Sequence, residues 1–368
     1  MPMRIGVDAR ELLGAATGVG RYLGELLRRW TAGRNGGRRF VLYSPEPLTI
    51  ALPGDAVEHR VVAATGRPGR GTWWEQMHLR RAVAADQPDV FFAPAYTAPR
   101  LRGIPLALTI HDVSFVAHPE WYRIREGMRR RWLTRRSAEA AAVIFTDSEF
   151  SRSEIETHFR IERSRVHVIP PGLAPRHDAA GAPRPPRGGP VVLYVGSIFN
   201  RRRVPDLIAA FAQVTHAVPD ARLVIVGEDR SWPPQSLPDV VAAHGVESRV
   251  DLRSYVPDEE LAAVYRAASV FAFLSEYEGF GLTPLEALAA GVPIVVLDTP
   301  VAREVYGDAA CYVPAADIHG TAEALIRLLR HPAECEAALQ HAPAVLARYS
   351  WDQCAAQTLA HLERVARR

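Results

Sequence analysis

The sequence predicts an α/β protein made of two doubly wound, Rossmann-like domains. Short runs of β-branched and aromatic residues alternate with amphipathic helical patterns along the chain, which is typical of parallel sheets covered by helices. With 368 residues, the chain exceeds the size at which one hydrophobic core usually stops growing, so two domains are expected. Residues 173–190 are rich in proline and glycine and predict a linker between them.

Six strands are predicted before this linker and five after it. They cover residues 4–8, 40–43, 90–93, 106–110, 143–146 and 166–169, then residues 191–195, 223–227, 250–252, 270–273 and 294–297. Helical patterns lie between them, and the pattern at residues 258–268 repeats apolar residues on one face. Because open α/β sheets bind ligands at the carboxyl ends of their strands, we expect the two domains to face a cleft lined by such ends.

The amino-acid composition limits which partners the protein is expected to bind and in which compartment it is expected to lie. The formal net charge is only +3, so general binding to nucleic acid has little support. No apolar run reaches the length of a membrane span, and the first residues lead into a strand rather than a secretory signal. The chain has an odd number of cysteines, and the three, Cys311, Cys335 and Cys354, are widely spaced, which favours buried structural thiols. We therefore expect a cytoplasmic protein.

The chain contains no lysine, and all of its 44 basic residues are arginine. Residues 14–20 match a G-x-x-x-G-x-G pattern similar to the nucleotide loop of short-chain dehydrogenases, but those enzymes use a Tyr-x-x-x-Lys pair. A P-loop needs its lysine to neutralise the terminal phosphates. Both classes are therefore excluded.

The most informative segment, residues 275–291, reads S-E-Y-E-G-F-G-L-T-P-L-E-A-L-A-A-G. It follows a predicted buried strand and sets Glu278 and Glu286 eight positions apart. Between them, Gly279 and Gly281 permit a tight turn. Two carboxylates around a glycine-rich turn at a strand end predict a site for an anionic sugar derivative.

A helix is predicted to start at Thr283, because Thr283-Pro284-Leu285-Glu286 has the form of a capping box with proline at the first helical position. Backbone N–H groups at such a start favour a phosphate or sugar hydroxyls. The presence of Glu286 could be explained by the capping box alone. Glu278 lies before the turn and belongs to no capping box, which favours ligand binding for the pair.

Two further loops lie where α/β proteins bind ligands. His111 directly follows a predicted strand and would project into the cleft, although a structural histidine is the alternative. Gly18, Val19 and Gly20 precede a helix predicted from about Arg21, so their backbone would face a ligand; a plain turn is the alternative.

Basic residues gather in two places. Arg201, Arg202 and Arg203 follow a predicted strand, where guanidinium groups hold a diphosphate through charge-assisted hydrogen bonds; a solvated charge run is the alternative. The segment from Trp121 to Arg136 interleaves arginine with aromatic and aliphatic residues, which suits the surface of an anionic membrane. A packed amphipathic helix with a basic outer face is the alternative there.

Eight motifs agree in order along nearly the whole chain. They are G-V-D-A-R from Gly6, G-V-G-R-Y from Gly18, T-I-H-D from Thr109, S-E-F-S-R from Ser148, V-I-P-P-G from Val168, V-G-S-I from Val195, E-x7-E from Glu278 to Glu286, and G-D-A-A from Gly307. Together they resemble the GT4-type retaining glycosyltransferases of the GT-B fold. The E-x7-E block is highly specific, whereas the others are weak individually.

The resemblance implies a domain organisation. Residues 1–172 would form an acceptor-binding domain and residues 191–350 a nucleotide-sugar-binding domain, joined by the linker at residues 173–190. Residues 351–368 would form a helix that crosses back to the first domain.

The resemblance also implies site residues. Glu286 would hold the ribose hydroxyls, and His111 and Glu278 would orient and stabilise the transferred sugar as the catalytic residues. Residues 18–20 would close the phosphate side. The donor-binding residues would be Ser197, Arg202, Gly279, Phe280, Gly281, Leu282 and Glu286. The chain departs from many relatives at Ser197, where they have arginine, and at Arg202, where they have lysine.

The implied activity is transfer of a hexosyl group from a nucleoside-diphosphate sugar to an acceptor hydroxyl, with retention of configuration and no cofactor. No metal is expected, because the chain has no Asp-x-Asp pair. Mannose from GDP-mannose is the first expectation for the donor; UDP-glucose, UDP-N-acetylglucosamine and dTDP-rhamnose are alternatives. The acceptor would be a carbohydrate or a lipid-linked oligosaccharide of cell-surface polysaccharide or glycolipid synthesis. A GT-B epimerase or hydrolase and a non-catalytic nucleotide-sugar-binding protein are the other classes.

Overall fold

The computed structural model describes residues 2–14, 18–32, 36–53, 55–63, 71–173 and 189–367. Contacts divide the chain into two compact units. The first contains Met1–Ala117, Ile124–Gly172 and Ser350–Arg368, and the second contains His118–Arg123 and Leu173–Tyr349. Most of the predicted linker, residues 174–188, lies outside the described residues.

The first unit is built on a seven-stranded parallel sheet with the order β3-β2-β1-β4-β5-β6-β7. Its strands are β1 (Met3–Asp8), β2 (Arg38–Ser44), β3 (Val57–Val61), β4 (Val90–Ala93), β5 (Leu106–Thr109), β6 (Val143–Thr146) and β7 (Val166–Val168). Its first helices are α1 (Gly18–Thr31), α2 (Arg80–Asp86), α3 (Ser114–Ala117), α4 (Ile124–Ala140) and α5 (Glu149–Phe159). The strand order reverses between β1 and β4, which is where doubly wound sheets form binding crevices.

The second unit repeats this plan with a six-stranded parallel sheet in the order β10-β9-β8-β11-β12-β13. Its strands are β8 (Val191–Val195), β9 (Arg222–Val226), β10 (Val250–Arg253), β11 (Val270–Phe273), β12 (Ile294–Leu297) and β13 (Ala310–Val313). Its helices are α6 (Val204–Ala217), α7 (Leu237–Ala243), α8 (Asp258–Arg266), α9 (Leu282–Ala289), α10 (Pro300–Tyr306), α11 (Ile318–Arg330), α12 (Pro332–Leu339) and α13 (Ala342–Leu346).

Helix α14 (Trp351–Ala366) completes the first unit. Its buried residues recur at helical spacing and join the core that surrounds β1 and α1. The indole of Trp30 on α1 donates to the carbonyl of Ala355 at 2.9 Å and stacks on Phe40. Sequence-distant segments of the chain therefore share one hydrophobic core.

All eleven predicted strands are present. Most of them are buried parallel strands, which leave apolar runs that are easy to recognise, although β10 is mostly exposed. Two edge strands were missed. In β3, the sequence V-E-H-R-V ends in three exposed residues and has no continuous apolar run, whereas β13 reads A-C-Y-V and is mostly half-buried. The expectation of buried thiols is correct for Cys354 and wrong for Cys311 and Cys335, which are half-buried.

Candidate functional site

Two loops at the carboxyl ends of β8 and β11 meet in the second unit. Gly196 ends β8 with a φ of 147°, and a Cβ there would lie 2.6 Å from Nη1 of Arg202. The backbone N–H of Glu276, in the loop after β11, donates to the carbonyl of Arg201 at 2.9 Å. The two loops that carry the predicted donor-binding residues are thus in direct contact.

Three consecutive arginines hold three consecutive residues of the facing loop. Arg201 donates from Nε to the carbonyl of Tyr277 at 3.2 Å, and Arg203 donates from Nη2 to Glu276 at 2.5 Å. Arg202 contacts Glu278 with both Nε, at 2.8 Å, and Nη2, at 3.4 Å. None of the three is a purely solvated charge.

The carboxylate of Glu278 is held in its charged form. Burial alone would raise the pKa of Glu278, but the charges of Arg202 and Arg201 and hydrogen bonds from Arg202 and Ser275 outweigh it and lower that pKa. Nη1 of Arg202 donates to the carbonyl of Ser197 at 2.8 Å, which also ties in the loop after β8. Glu278, Arg202 and Ser197, predicted separately, are therefore one network.

The start of α9 differs from the predicted capping box. The helix begins at Leu282, and Gly281 precedes it with a φ of 89° and no side-chain cap. Thr283 and Pro284 lie inside the first turn, where proline is tolerated because the N–H groups lack intrahelical acceptors. A Cβ on Gly281 would lie 2.1 Å from the hydroxyl of Tyr306, which donates to the carbonyl of Gly281.

Glu286 lies on the next turn of α9 and is half-buried. Its Oε2 accepts a hydrogen bond from the hydroxyl of Tyr265 at 2.8 Å. Phe280, before the helix, is buried with its ring edge against Tyr349. The predicted residues from Gly279 to Leu282 thus form the tight backbone entry into α9.

The segment His118–Arg123 adds aromatic residues to this unit. The ring of His118 stacks on Trp121 at 4.0 Å and meets Tyr277 edge-on at 5.3 Å. The guanidinium of Arg123 lies 4.5 Å above Trp232. Trp121, which the sequence groups with the basic membrane segment, therefore packs beside the loop that carries Glu278.

In the first unit, His111 follows β5 as predicted. Its Nδ1 lies 2.8 Å from Asp147, and its Nε2 lies 3.0 Å from the carbonyl of Pro94. The rings of Tyr22 and Tyr96 meet the imidazole edge-on. Both ring nitrogens already have partners within this unit.

These partners determine the charge of His111. A carbonyl oxygen can only accept, so Nε2 carries a proton, and Nδ1 faces a carboxylate that also favours a donor. Burial alone would lower the pKa of His111, but Asp147, and to a smaller extent the Pro94 contact and Asp112, raise it above the ordinary value. The geometry fits an imidazolium and not a proton acceptor.

Gly18, Val19 and Gly20 form the first turn of α1 rather than a loop before it, because the helix starts three residues earlier than predicted. Residues 15–17, which belong to the same glycine pattern, lie outside the described residues. Tyr22, one turn further along, is the α1 residue that contacts His111.

A buried ionic cluster at the end of β1 was not predicted as a site. Nη2 of Arg10 lies 2.7 Å from Oδ2 of Asp8 and also contacts Glu75, which accepts from Thr97 at 2.6 Å. Burial, more strongly than the opposing charge of Arg10, raises the pKa of Asp8 to about 6. The sequence marks only Asp8 and Arg10, within G-V-D-A-R; Glu75 lies on a π-helical turn that no pattern singles out.

A cavity of about 570 Å³ lies elsewhere in the second unit, against β8, β9, β10 and α8. None of the predicted site residues lines it; Arg222, at the start of β9, and Arg249, just before β10, do. It is therefore separate from the loops at the carboxyl ends.

Helix α4 presents two different faces. Leu133 and Ala138 are buried, which fits the packed amphipathic helix. Ile124, Met128 and Trp132, spaced four residues apart, are each more than half exposed. These three residues form the α4 stripe, and arginines surround it in the sequence.

Two features absent from the described residues bear on membranes and metal ions. Among the helices that the structure covers, none combines the length and the apolar character needed to cross a bilayer. Within the same described ranges, no group of three or more His, Cys, Asp or Glu side chains could hold a metal ion.

Comparison with known families assigns both halves of the chain. Residues 16–177 match the family model described as Glycosyltransferase Family 4, and residues 178–344 match the one described as Glycosyl transferases group 1. The two matches are adjacent and meet at residue 177, within the predicted linker.

The chain is similar to curated proteins over most of its length. It is 28% identical to O-antigen chain mannosyltransferase B of Escherichia coli over 93% of this chain and 95% of that protein. It is 29% identical to the MMP alpha-(1->4)-mannosyltransferase of Mycolicibacterium hassiacum over 94% of this chain and 79% of that one.

Among solved structures, sucrose-phosphate synthase from Thermosynechococcus elongatus aligns with a TM-score of 0.78 at 19% identity, over 99% of both chains. This similarity and the two parallel sheets confirm the predicted fold class, two Rossmann-like domains of the GT-B type.

Proposed function

Because the chain belongs to Glycosyltransferase Family 4 and the group 1 glycosyl transferases, we propose that it transfers a hexosyl group, first of all mannose from GDP-mannose, to an acceptor hydroxyl. The observation that carries this proposal is the network of Arg202, Glu278 and Ser197 beside the start of α9. Relatives named as mannosyltransferases support the choice of sugar.

The proposed reaction proceeds with retention and without a metal ion. The bond between the anomeric carbon and the diphosphate oxygen breaks, and its electron pair leaves with the phosphate. The acceptor oxygen bonds to that carbon on the same face, and its proton passes to the departing phosphate oxygen. Arg202 and the N–H groups at the start of α9 stabilise the growing negative charge.

Each predicted catalytic residue has a defined part. Glu278 is kept ionised by Arg202, so it orients sugar hydroxyls and favours positive charge on the sugar ring. His111, whose two ring nitrogens face Asp147 and the carbonyl of Pro94, acts as a fixed positive charge near the transferred sugar and not as a base. Glu286 binds the ribose hydroxyls.

The proposed acceptor is a carbohydrate or lipid-linked oligosaccharide of cell-surface polysaccharide or glycolipid synthesis. The α4 stripe supports a peripheral position on the inner face of the cytoplasmic membrane, because exposed apolar side chains among arginines suit an anionic lipid surface. A relative that acts on O-antigen chains is consistent with such an acceptor.

The first experiment measures the thermal unfolding midpoint with GDP, UDP, dTDP and ADP, each alone and with its common sugars. Ligands that bind only the folded state raise this midpoint. A selective rise with GDP and GDP-mannose is expected. A response to UDP or dTDP would replace the donor, and no response to any nucleotide would contradict the proposal. Release of GDP without an acceptor would indicate a hydrolase or epimerase instead.

A further inference from the structure

Tyr265 on α8 reaches the predicted ribose-binding carboxylate from the side of the core. Its side chain is 1% exposed and its ring packs near Phe271, with 5.9 Å between centroids. Only its hydroxyl meets a charged group, at 2.8 Å from Oε2 of Glu286. A rigid, buried residue is thus fastened to a half-buried, charged one.

The hydrogen bond has a clear direction. A phenol has one proton to donate, and Glu286 is the closer of its acceptors, since the carbonyl of Thr283 lies at 3.5 Å. A half-exposed glutamate without such a partner would sample several rotamers, and ordering it on ligand binding would reduce affinity. The hydrogen bond from Tyr265 restricts that freedom before the ligand arrives.

We propose that Tyr265 is a positioning residue for nucleotide recognition, which fixes the carboxylate of Glu286 in the orientation that receives the two ribose hydroxyls. This inference rests on the proposed function, because it assumes that Glu286 binds ribose. Tyr265 itself contacts no substrate. Its effect therefore depends on the presence of the ribose hydroxyls, which a simple packing role would not require.

The test compares the wild type with Tyr265→Phe, using GDP and 2′-deoxy-GDP in titration calorimetry. We expect the Kd for GDP to rise about tenfold, since the carboxylate of Glu286 must then be ordered when the ligand binds, and the Kd for 2′-deoxy-GDP to change by less than about twofold. The preference for ribose over deoxyribose should nearly vanish. Tyr255→Phe is the matched control, because Tyr255 is exposed and its change should leave both constants unaltered.

Loss of folded protein in the variant would not mimic this result. Tyr265→Phe keeps the ring, and water can solvate the half-exposed Glu286. The ratio of two dissociation constants measured on one sample is also independent of the fraction of folded protein. Equal weakening of both ligands would show a packing role and overturn the inference.

The two proposals fail in different ways. A wild type that binds no nucleotide contradicts the proposed function. A wild type that binds GDP and 2′-deoxy-GDP equally contradicts the ribose role of Glu286, and the inference falls with it. If the wild type prefers GDP and Tyr265→Phe keeps that preference, the inference alone is overturned.

Discussion

The guanidinium of Arg202 and the carboxylate of Glu278 form a two-point ion pair in which each group maintains the charge of the other. Both side chains are about 15% exposed, so neither is fully solvated. Burial opposes the charge on Arg202, but Glu278 raises the pKa of that guanidinium above its ordinary value. The pair therefore serves both the fold and the proposed site.

Arg202→Met should destabilise the protein by about 3 kcal/mol at neutral pH, because the buried carboxylate of Glu278 loses its ion-pair partner. In the wild type, the lowered pKa means that the contribution of Glu278 is present above its unfolded value of 4.5 and is lost as pH falls through the folded value. In Arg202→Met, only the charge of Arg201 and the hydrogen bond from Ser275 still oppose burial, so that pKa should be lowered less and the gain in stability with rising pH should be smaller.

Urea unfolding between pH 4 and pH 7 measures both profiles. Arg202→Met combined with Glu278→Gln is the matched control, because the glutamine carries no charge and should recover much of the loss. A loss that persists unchanged in the double variant would show that packing of Arg202, and not its charge, stabilises the loops.

Asp147→Asn should move the pH dependence of turnover. Burial opposes the charge on His111, but Asp147 raises the pKa of the imidazole above its unfolded value of 6.5. The ring is therefore charged below pH 6.5 and loses its proton only as pH rises through the higher folded pKa. If the charged ring supports catalysis, kcat/KM falls on that alkaline side, and Asp147→Asn shifts the fall to lower pH.

The measurement is kcat/KM against pH for the wild type, Asp147→Asn and His111→Ala. His111→Ala should lower turnover while leaving nucleotide affinity nearly unchanged, and it should abolish the alkaline limb. An alkaline limb that survives in His111→Ala would assign it to another group.

His361→Gln should make the protein less sensitive to acid. Burial, helped by His167 and Arg364, lowers the pKa of His361 to about 4, and its ring centroid lies 4.0 Å from that of His167. As pH falls from 6.5 towards 4, His361 becomes protonated in the unfolded chain but stays neutral in the folded protein, so the free energy of unfolding decreases. Above pH 6.5 the contribution is constant.

Urea midpoints at pH 7 and pH 5 check this prediction. The wild type should lose more stability between these values than His361→Gln does, and the exposed His341→Gln should behave like the wild type. Equal losses in all three proteins would be contrary to the prediction.

Replacing Met128 and Trp132 by serine should weaken binding to anionic vesicles by at least about tenfold, because about 25 cal/mol of transfer free energy is lost per Å² of apolar surface. Flotation with vesicles containing phosphatidylglycerol measures the change, and added salt should weaken wild-type binding further. Tyr255→Ser removes an aromatic residue that is at least as exposed, but from the other unit, and should have no effect. Equal binding to neutral vesicles would contradict a role for the arginines.

The sequence predicts what depends on local patterns. Strands buried on both faces appear as apolar runs, and the E-x7-E block predicts Glu278 and Glu286 through its spacing and glycines. The ion pair between Arg202 and Glu278 forms only where two loops come into contact. That contact was expected because both loops follow strands of the same sheet.

Contacts between sequence-distant side chains could not be predicted in this way. The periodicity of α8 indicates that Tyr265 is buried, but its hydroxyl meets Glu286 on another helix, 21 residues away. Arg10 and Glu75 are 65 residues apart, on elements with no shared pattern. The prediction of a capping box at Thr283 was wrong, because Gly281 adopts a left-handed conformation and the helix begins before Thr283.

The exchange of His118–Arg123 into the second unit bears on how such enzymes can recombine. A chimera joined only within residues 173–190 would inherit its donor loop from one parent and the aromatic side chains that pack on Tyr277 from the other. Helix α14 would be mismatched in the same way against α1. Functional hybrids should therefore require two exchanged pieces of chain, His118–Arg123 and Leu173–Tyr349, so a single crossover is a poor route to new donor specificity in this protein.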